Sequence, residues 1–263
     1  MIYLSRFEKT DTPDRAEYPF SVPLIAALER IDFNAPVTVF AGENGSGKTT
    51  LLELMAVKLS AVRIGSGNRG ERRVLIERAA KSFRVTRKLT QRLCFYFTAE
   101  DFSRELEARV AMRTDAEQAL REIESSYGGR SAYAKELAAM PFARTIGEMD
   151  AQYRTELTER SHGEGFLDFF GKRLVNGGLY FLDEPEAALT YFNQLVLLNM
   201  IRDAAGMNCQ FVISTHSPVL CACPDADLYE LREDGPVRTD YDSLSNIQFL
   251  KLFLNERERF LRV

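Results

Sequence analysis

The sequence has two histidines, four cysteines and no tryptophan among its 263 residues. Each scarcity excludes something. Two histidines, His162 and His216, leave too little to build a nuclease-type metal cluster. Cys94 and Cys209 stand in apolar, strand-like runs and read as small buried hydrophobes. Cys221 and Cys223 form a C-x-C without a second pair, short of the spacing of a structural zinc site. The first twenty residues, MIYLSRFEKTDTPDRAEYPF, carry charge throughout, unlike a secretory leader. No apolar run approaches the roughly 18 to 20 residues of a membrane span. The expectation is a cytoplasmic chain with no intrinsic membrane segment, and in that compartment disulfides are not expected. Internal repeats and low-complexity segments are also missing.

The composition is that of a globular protein, with 45% hydrophobic and 27% charged residues. A chain this long buries a substantial core, as one large domain or a core with an insertion. The net charge of −4 is unevenly spread. Residues 63–92 hold eight Arg and two Lys against Glu71 and Glu77, a local +8 that leaves −12 elsewhere. Such a block is either a solvated face or a surface that tracks phosphates.

Along the chain, IYLSRF, LERIDF and PVTVFAG read as short strands separated by turn chemistry. KTTLLELMAVKLSAV is a helix, and RLCFYF (92–97) a buried strand. From Phe102 the period becomes helical, with Leu106, Val110, Leu120, Ile123 and Tyr127 forming a core-facing stripe. Gly128-Gly129 interrupts it, and further helical stretches follow near 131–140 and before Ser161. The tail returns to strand–helix alternation. GGLYFLDEP and CQFVISTHSP are strands, AALTYFNQLVLLNMIRDAA lies between them as a helix, DLYELRED and GPVRTD make a hairpin, and SLSNIQFLKLFLNERERFL is an amphipathic helix expected to pack on the core. The fold class is α/β: a mostly parallel sheet flanked by helices, with N-terminal antiparallel strands and a helical insertion. The expected divisions of this composite domain are 1–100, 101–160 and 161–263.

Four stretches carry chemistry. GENGSGKTT (42–50) fits G-x-x-x-x-G-K-[ST] in full, after an apolar strand and at a helix start. Gly42, Gly45 and Gly47 let backbone N–H groups turn inward around phosphate oxygens, with Asn44 and Ser46 in the same loop. Lys48 reaches the β- and γ-phosphates, Thr49 offers its hydroxyl to Mg²⁺, and Thr50 donates to the α-phosphate. LYFLDEP delivers Asp183 and Glu184 at a strand end. Paired carboxylates leaving a buried strand are costly without a cation or a catalytic task, which assigns Asp183 to the metal shell and Glu184 to the attacking water. STHSP (214–218) ends the next strand, so His216 converges on the same crevice. SHGEGF (161–166) is either a helix cap, Ser161 with Glu164 as a capping box, or an anion site at a helix N-terminus.

In order and spacing, GENGSGKTT, SHGE, FLDEPE and STHSP resemble the ABC-type ATPases. Within that superfamily the chain looks most like the stand-alone bacterial ATPases of the SMC- and RecF-related group, often labelled AAA family ATPases. The resemblance implies ATP and Mg²⁺ as cofactors. It also implies an ATP-dependent head-to-tail homodimer, in which Ser161 and Gly163 cap the γ-phosphate held by the other subunit's phosphate loop. There are departures. His162 and Glu164 replace a glycine and a glutamine of the signature, and Thr190 replaces an aspartate after the acids. The glutamine expected after the first-lobe strand is missing; Glu100 stands nearest, with Gln91 before the strand.

The expected activity is ATP hydrolysis driving association and release of two subunits, coupled to a nucleic-acid process in repair, chromosome maintenance or defence. Double-stranded DNA or a DNA-acting protein would be the partner. The alternatives are the nucleotide-binding subunit of a membrane transporter, which the departures disfavour, and an ATP-dependent regulator of a separate effector protein.

Overall fold

Alternate residues of the central strands feed two separate cores. In the computed structural model, which describes residues 1–11, 14, 16–63, 70–127, 129, 131–152 and 162–261, Leu179, Phe181 and Val212 pack to one side of the sheet. Tyr180, Leu182, Phe211 and Ile213 pack to the other. Strands apolar on both faces must be covered on both faces, and helices do this on either side.

The order is β1 (Leu4–Lys9), α1 (Pro23–Ala27), β2 (Arg30–Asp32), β3 (Val37–Ala41), α2 (Lys48–Lys58), β4 (Val62–Arg63), α3 (Glu71–Ala79), β5 (Phe83–Arg87) and β6 (Leu93–Thr98). Two long helices follow, α4 (Ala99–Ser126) and α5 (Ala132–Gln152), and then α6 (His162–Gly171). The last part runs β7 (Gly178–Asp183), α7 (Tyr191–Gly206), β8 (Gln210–Thr215), α8 (Pro218–Cys221), β9 (Asp227–Arg232), β10 (Gly235–Arg238), α9 (Ser245–Asn255) and α10 (Arg257–Leu261). A three-stranded antiparallel sheet has the order β2-β1-β5. The seven-stranded sheet has the order β10-β9-β3-β8-β7-β6-β4 and is parallel except for the β9–β10 hairpin. The two sheets are tied by the buried Gln210. Its Oε1 accepts from Tyr3 N at 2.7 Å and Leu4 N at 2.8 Å, and its Nε2 donates to Leu4 O at 2.9 Å.

This is the α/β architecture expected, with corrections in its parts. The described part of the 63–92 stretch is not one continuous sheet face: it contains α3 and β5, and β5 pairs with β1. The apolar stripe of α4 does not enter the domain core along its length. Phe102 is buried there, but Val110 is exposed, and α4 instead packs along α5. The helical stretch expected just before Ser161 lies outside the described residues. α7 starts at Tyr191, capped by Thr190, whose side chain accepts from Asn193 N. The C-terminal segment splits into α9 and α10; among its described residues Leu244 and Ile247 are buried in the core, while Phe249, Leu252, Leu254, Phe260 and Leu261 are exposed.

Candidate functional site

Strand order positions the site. β8 lies between β3 and β7, with Ala41 opposite Thr215 and Ser214 opposite Asp183, so the carboxyl ends of three adjacent parallel strands meet. In parallel sheets that edge is where ligands bind.

β3 is buried along its whole length and ends at the glycine-rich loop. Gly45 and Gly47 have φ of 83° and 95°, a region that only glycine enters cheaply. Gly47 is also wedged: a Cβ there would lie 2.8 Å from Val22 Cγ1 and 3.3 Å from Leu24 Cδ2. α1 thus holds the loop against the start of α2, whose N-terminus has no side-chain cap and keeps its first N–H groups for another acceptor. Lys48 is buried and curls back into the loop, donating to Gly42 O at 2.9 Å and Glu43 O at 2.8 Å. Its Nζ also stands 3.3 Å from Glu184 Oε1. Asn44 and Ser46 line, with Gly42, Gly45 and His216, a cleft of about 830 Å³ that continues to Phe249. Thr50 Oγ1 lies 3.2 Å from the Tyr18 hydroxyl.

Asp183 is surrounded by hydroxyls. Thr49 Oγ1 donates to its Oδ1 at 3.2 Å, Tyr96 OH to its Oδ2 at 3.0 Å, and Ser214 Oγ also donates to Oδ1. Burial pushes the Asp183 carboxyl above the usual aspartate range; the three hydroxyl donors pull the other way, and neighbouring Glu184 adds to the rise. Among the described residues no Lys or Arg forms an ion pair with it, so the carboxylate lacks a counter-charge. A hard cation suits this donor set: one carboxylate beside one threonine hydroxyl, with room for phosphate and water oxygens, is how Mg²⁺ is usually held. No group of three or more metal-ligating side chains occurs among the described residues, so an all-protein metal cage is not formed there.

Glu184 follows with φ 46° and ψ 51°, left-handed geometry that costs a non-glycine residue energy. Its N–H donates to Ser214 O at 3.0 Å, which anchors the turn, and its side chain is about one-third exposed at the site. His216 is half-exposed, lines the cleft, and reaches back with Nδ1 to Glu186 Oε1 at 3.2 Å.

The structure therefore brings together residues 42–50, Asp183, Glu184 and His216. Gly163 does not line the cleft. Gly163 is buried in the first turn of α6, which packs on α7 and on the 185–188 turn. Ser161 lies outside the described residues. Glu100 does not reach the site either: it is exposed in the first turn of α4 and pairs with Arg104. The buried acid at that point is Asp101, held by Arg63 Nε at 2.7 Å. Sequence reasoning missed Tyr96, Ser214 and Glu186. Tyr96 looks like any apolar strand residue, and only the β6–β7 register, with Thr98 opposite Asp183, shows that it shares a face with the acid.

About half of the basic stretch is paired. Arg63 pairs with Asp101 and Glu53, Arg72 with Glu53, Arg73 with Glu77, Arg78 with Glu17 and Arg84 with Glu8. Among the described residues Lys81, Arg87, Lys88 and Arg92 form no ion pair.

A family model for the AAA domain matches residues 24–87, the segment bearing the phosphate loop. No curated protein matches the chain in sequence. Among solved structures, the ADP conformation of MJ1267, an ATP-binding cassette of an ABC transporter, is similar with a TM-score of 0.51 at 17% identity, covering 97% of this chain and 100% of that one. A nucleotide-free ATP-binding cassette from an ABC transporter gives 0.50 at 16% identity over 100% of both chains. An Smc head domain from Pyrococcus furiosus, bound to the C-terminal domain of ScpA, gives 0.44 at 13% identity, covering 98% of this chain and 100% of that one. The first two establish that this chain has the fold of an ATP-binding cassette, a P-loop nucleotide-hydrolase architecture.

Proposed function

We propose that the chain is an ABC-type ATPase that binds and hydrolyses Mg-ATP at the β3–β8–β7 edge. The observation that carries this reading is the convergence of a complete phosphate loop, Asp183, Glu184 and His216 on three adjacent strand ends. Lys48 is already desolvated, so exchanging loop carbonyls for phosphate oxygens replaces neutral acceptors by charged ones, which bond about twice as strongly. Thr49 and Asp183 would hold Mg²⁺, which supplies Lewis-acid neutralisation of phosphate charge when bound. Freed from Lys48 by that exchange, Glu184 stands at the strand end where it can orient water in line. His216 reaches toward the phosphate end from the cleft wall. In this reading one chain supplies only half of the site: Gly163 does not line the cleft, and Ser161 and Gly163 act on the nucleotide of another chain. By the signature resemblance, these residues come from a second copy that closes head-to-tail.

What the cycle drives is a nucleic-acid process in this reading, with DNA or a DNA-acting protein as partner. Pairing removes part of the basic stretch's charge, so support rests mainly on the SMC-like motif order and on the α4–α5 hairpin as a docking arm. The likeness to transporter cassettes favours a second reading, a transporter's nucleotide-binding subunit. The two readings separate on salt-dependent duplex binding against co-purification with a membrane protein.

Phosphate release tests the activity itself. Wild type hydrolyses ATP. Glu184→Gln loses roughly 100-fold or more in kcat while still binding nucleotide, and Lys48→Ala loses binding. Wild-type release no faster than that of Lys48→Ala ends the ATPase reading.

A further inference from the structure

Glu186 has an unusual setting for a carboxyl group. It follows the catalytic pair by two residues, in the short turn Pro185–Ala188, and is only 5% exposed. Its Oε1 accepts from Thr215 Oγ1 at 2.6 Å and from His216 N at 2.8 Å, and faces His216 Nδ1 at 3.2 Å. Its Oε2 is buried without a partner. The surroundings are braced. Thr215 Oγ1 accepts from Ser217 N at 2.9 Å, Ser217 Oγ bonds Gln194 Oε1 at 2.6 Å, and Gln194 Nε2 donates to Leu189 O at 3.0 Å.

Capping the end of β8 does not need a carboxylate. A neutral acceptor could also bond Thr215 and His216 N, and would avoid burying an unsatisfied charged oxygen, which costs free energy. A carboxylate strengthens all three contacts, and of the three donors only the imidazole has two tautomers for that acceptor to choose between. Which ring nitrogen of a histidine carries the proton is set by the bond the other nitrogen makes. We propose that Glu186 is a positioning residue: it binds the Nδ1–H of His216, fixes the ring's tautomer and orientation, and leaves Nε2 as the nitrogen offered to the nucleotide cleft. The braced turn behind Glu186 keeps the acceptor still, so the ring is oriented before nucleotide arrives. The proposal rests on the reading that His216 works in an ATP cleft, and its test separates the two.

With two histidines in the chain, ¹⁵N spectra of histidine-labelled full-length protein are assignable by one further variant, His162→Gln. In the neutral ring, wild-type His216 should carry its proton on Nδ1, with slowed proton exchange. Glu186→Ala should shift it toward the Nε2–H form that a free side chain prefers. A wild-type ring already protonated on Nε2 overturns the proposal, whether or not the chain hydrolyses ATP. Kinetics supply the second arm, a cycle of Glu186→Ala, His216→Ala and both. Each single change should lower kcat roughly 10- to 100-fold. KM for ATP should move less than about threefold, and the double variant should match His216→Ala within about twofold, as residues acting as a unit do. Losses that multiply would mean that Glu186 acts independently of the ring. If the alanine variant does not fold, Glu186→Gln keeps the volume and the acceptor. It should retain the Nδ1–H tautomer with faster exchange, and unchanged exchange would show that the charge is not used. A wild type that does not hydrolyse ATP defeats the functional reading alone, because the spectra still judge the Glu186 contact.

Discussion

Asp183 shows how one residue carries opposing demands. It is buried, lacks a counter-charge among the described residues, and is held by three hydroxyls. Burial raises its pKa, so over the interval above 3.8 the native chain binds a proton that the unfolded chain has released. Stability contributed by this group therefore falls as pH rises through that interval. Replacing it with asparagine removes the penalty. All three partners are hydroxyls and can reverse donor and acceptor roles to suit an amide. Without Mg²⁺ at pH 7, Asp183→Asn should melt a few degrees above wild type, the shift of about 1 kcal/mol in a domain of this size. The advantage should shrink toward pH 4, and Mg-ATP should no longer stabilise the variant; calorimetry at two pH values checks it. At this scale the phosphate loop and the acid pair were legible in the sequence because their spacing is local. Tyr96, Ser214 and Glu186 were not, because their contacts come from strand register and from a turn that folds back under β8.

The element that delivers the acids is also under tight steric constraint. β7 begins at Gly178, where an added Cβ would lie 2.5 Å from the Tyr180 ring. That ring cannot yield easily. Its hydroxyl accepts from Val175 N at 2.7 Å and donates to Arg173 O at 3.0 Å, stapling the entry loop, while the ring stacks on Phe211. Gly178→Ala should destabilise the chain by about 1–3 kcal/mol, as overpacking of a buried ring does. The same change should lower ATP affinity by displacing Asp183, and urea denaturation with nucleotide titration would check both. β7 and β8 were legible because doubly buried parallel strands read as continuous apolar runs. α3 and β5 were not: their inward residues, Ile76 and Ala79 on one and Phe83 on the other, are too few to stand out among the arginines. The α9 segment misled for the opposite reason. Its apolar periodicity is real, but most of that face is exposed in the single chain.

Across the whole molecule, the seven-stranded sheet assembles what the proposed function reads as one half of a nucleotide site. The order β3-β8-β7 brings residues more than 130 positions apart, such as Thr49 and Asp183, into a hydrogen bond. Motif order foretold that convergence, because parallel strands in an ATP-binding cassette present their carboxyl ends together. The position of α6 was not foretold. Its aromatic face, Phe166, Phe169 and Phe170, locks it into the core beside α7, and none of the three lines the cleft. A head-to-tail second copy is the reading that gives the signature stretch a task. The most direct test is the solution molar mass of Glu184→Gln with and without Mg-ATP, beside Glu184→Gln carrying Ser161→Arg. The account predicts that Mg-ATP doubles the mass of the first protein and leaves the second monomeric. A mass that never changes, or a doubling indifferent to Ser161, would contradict a site completed in trans.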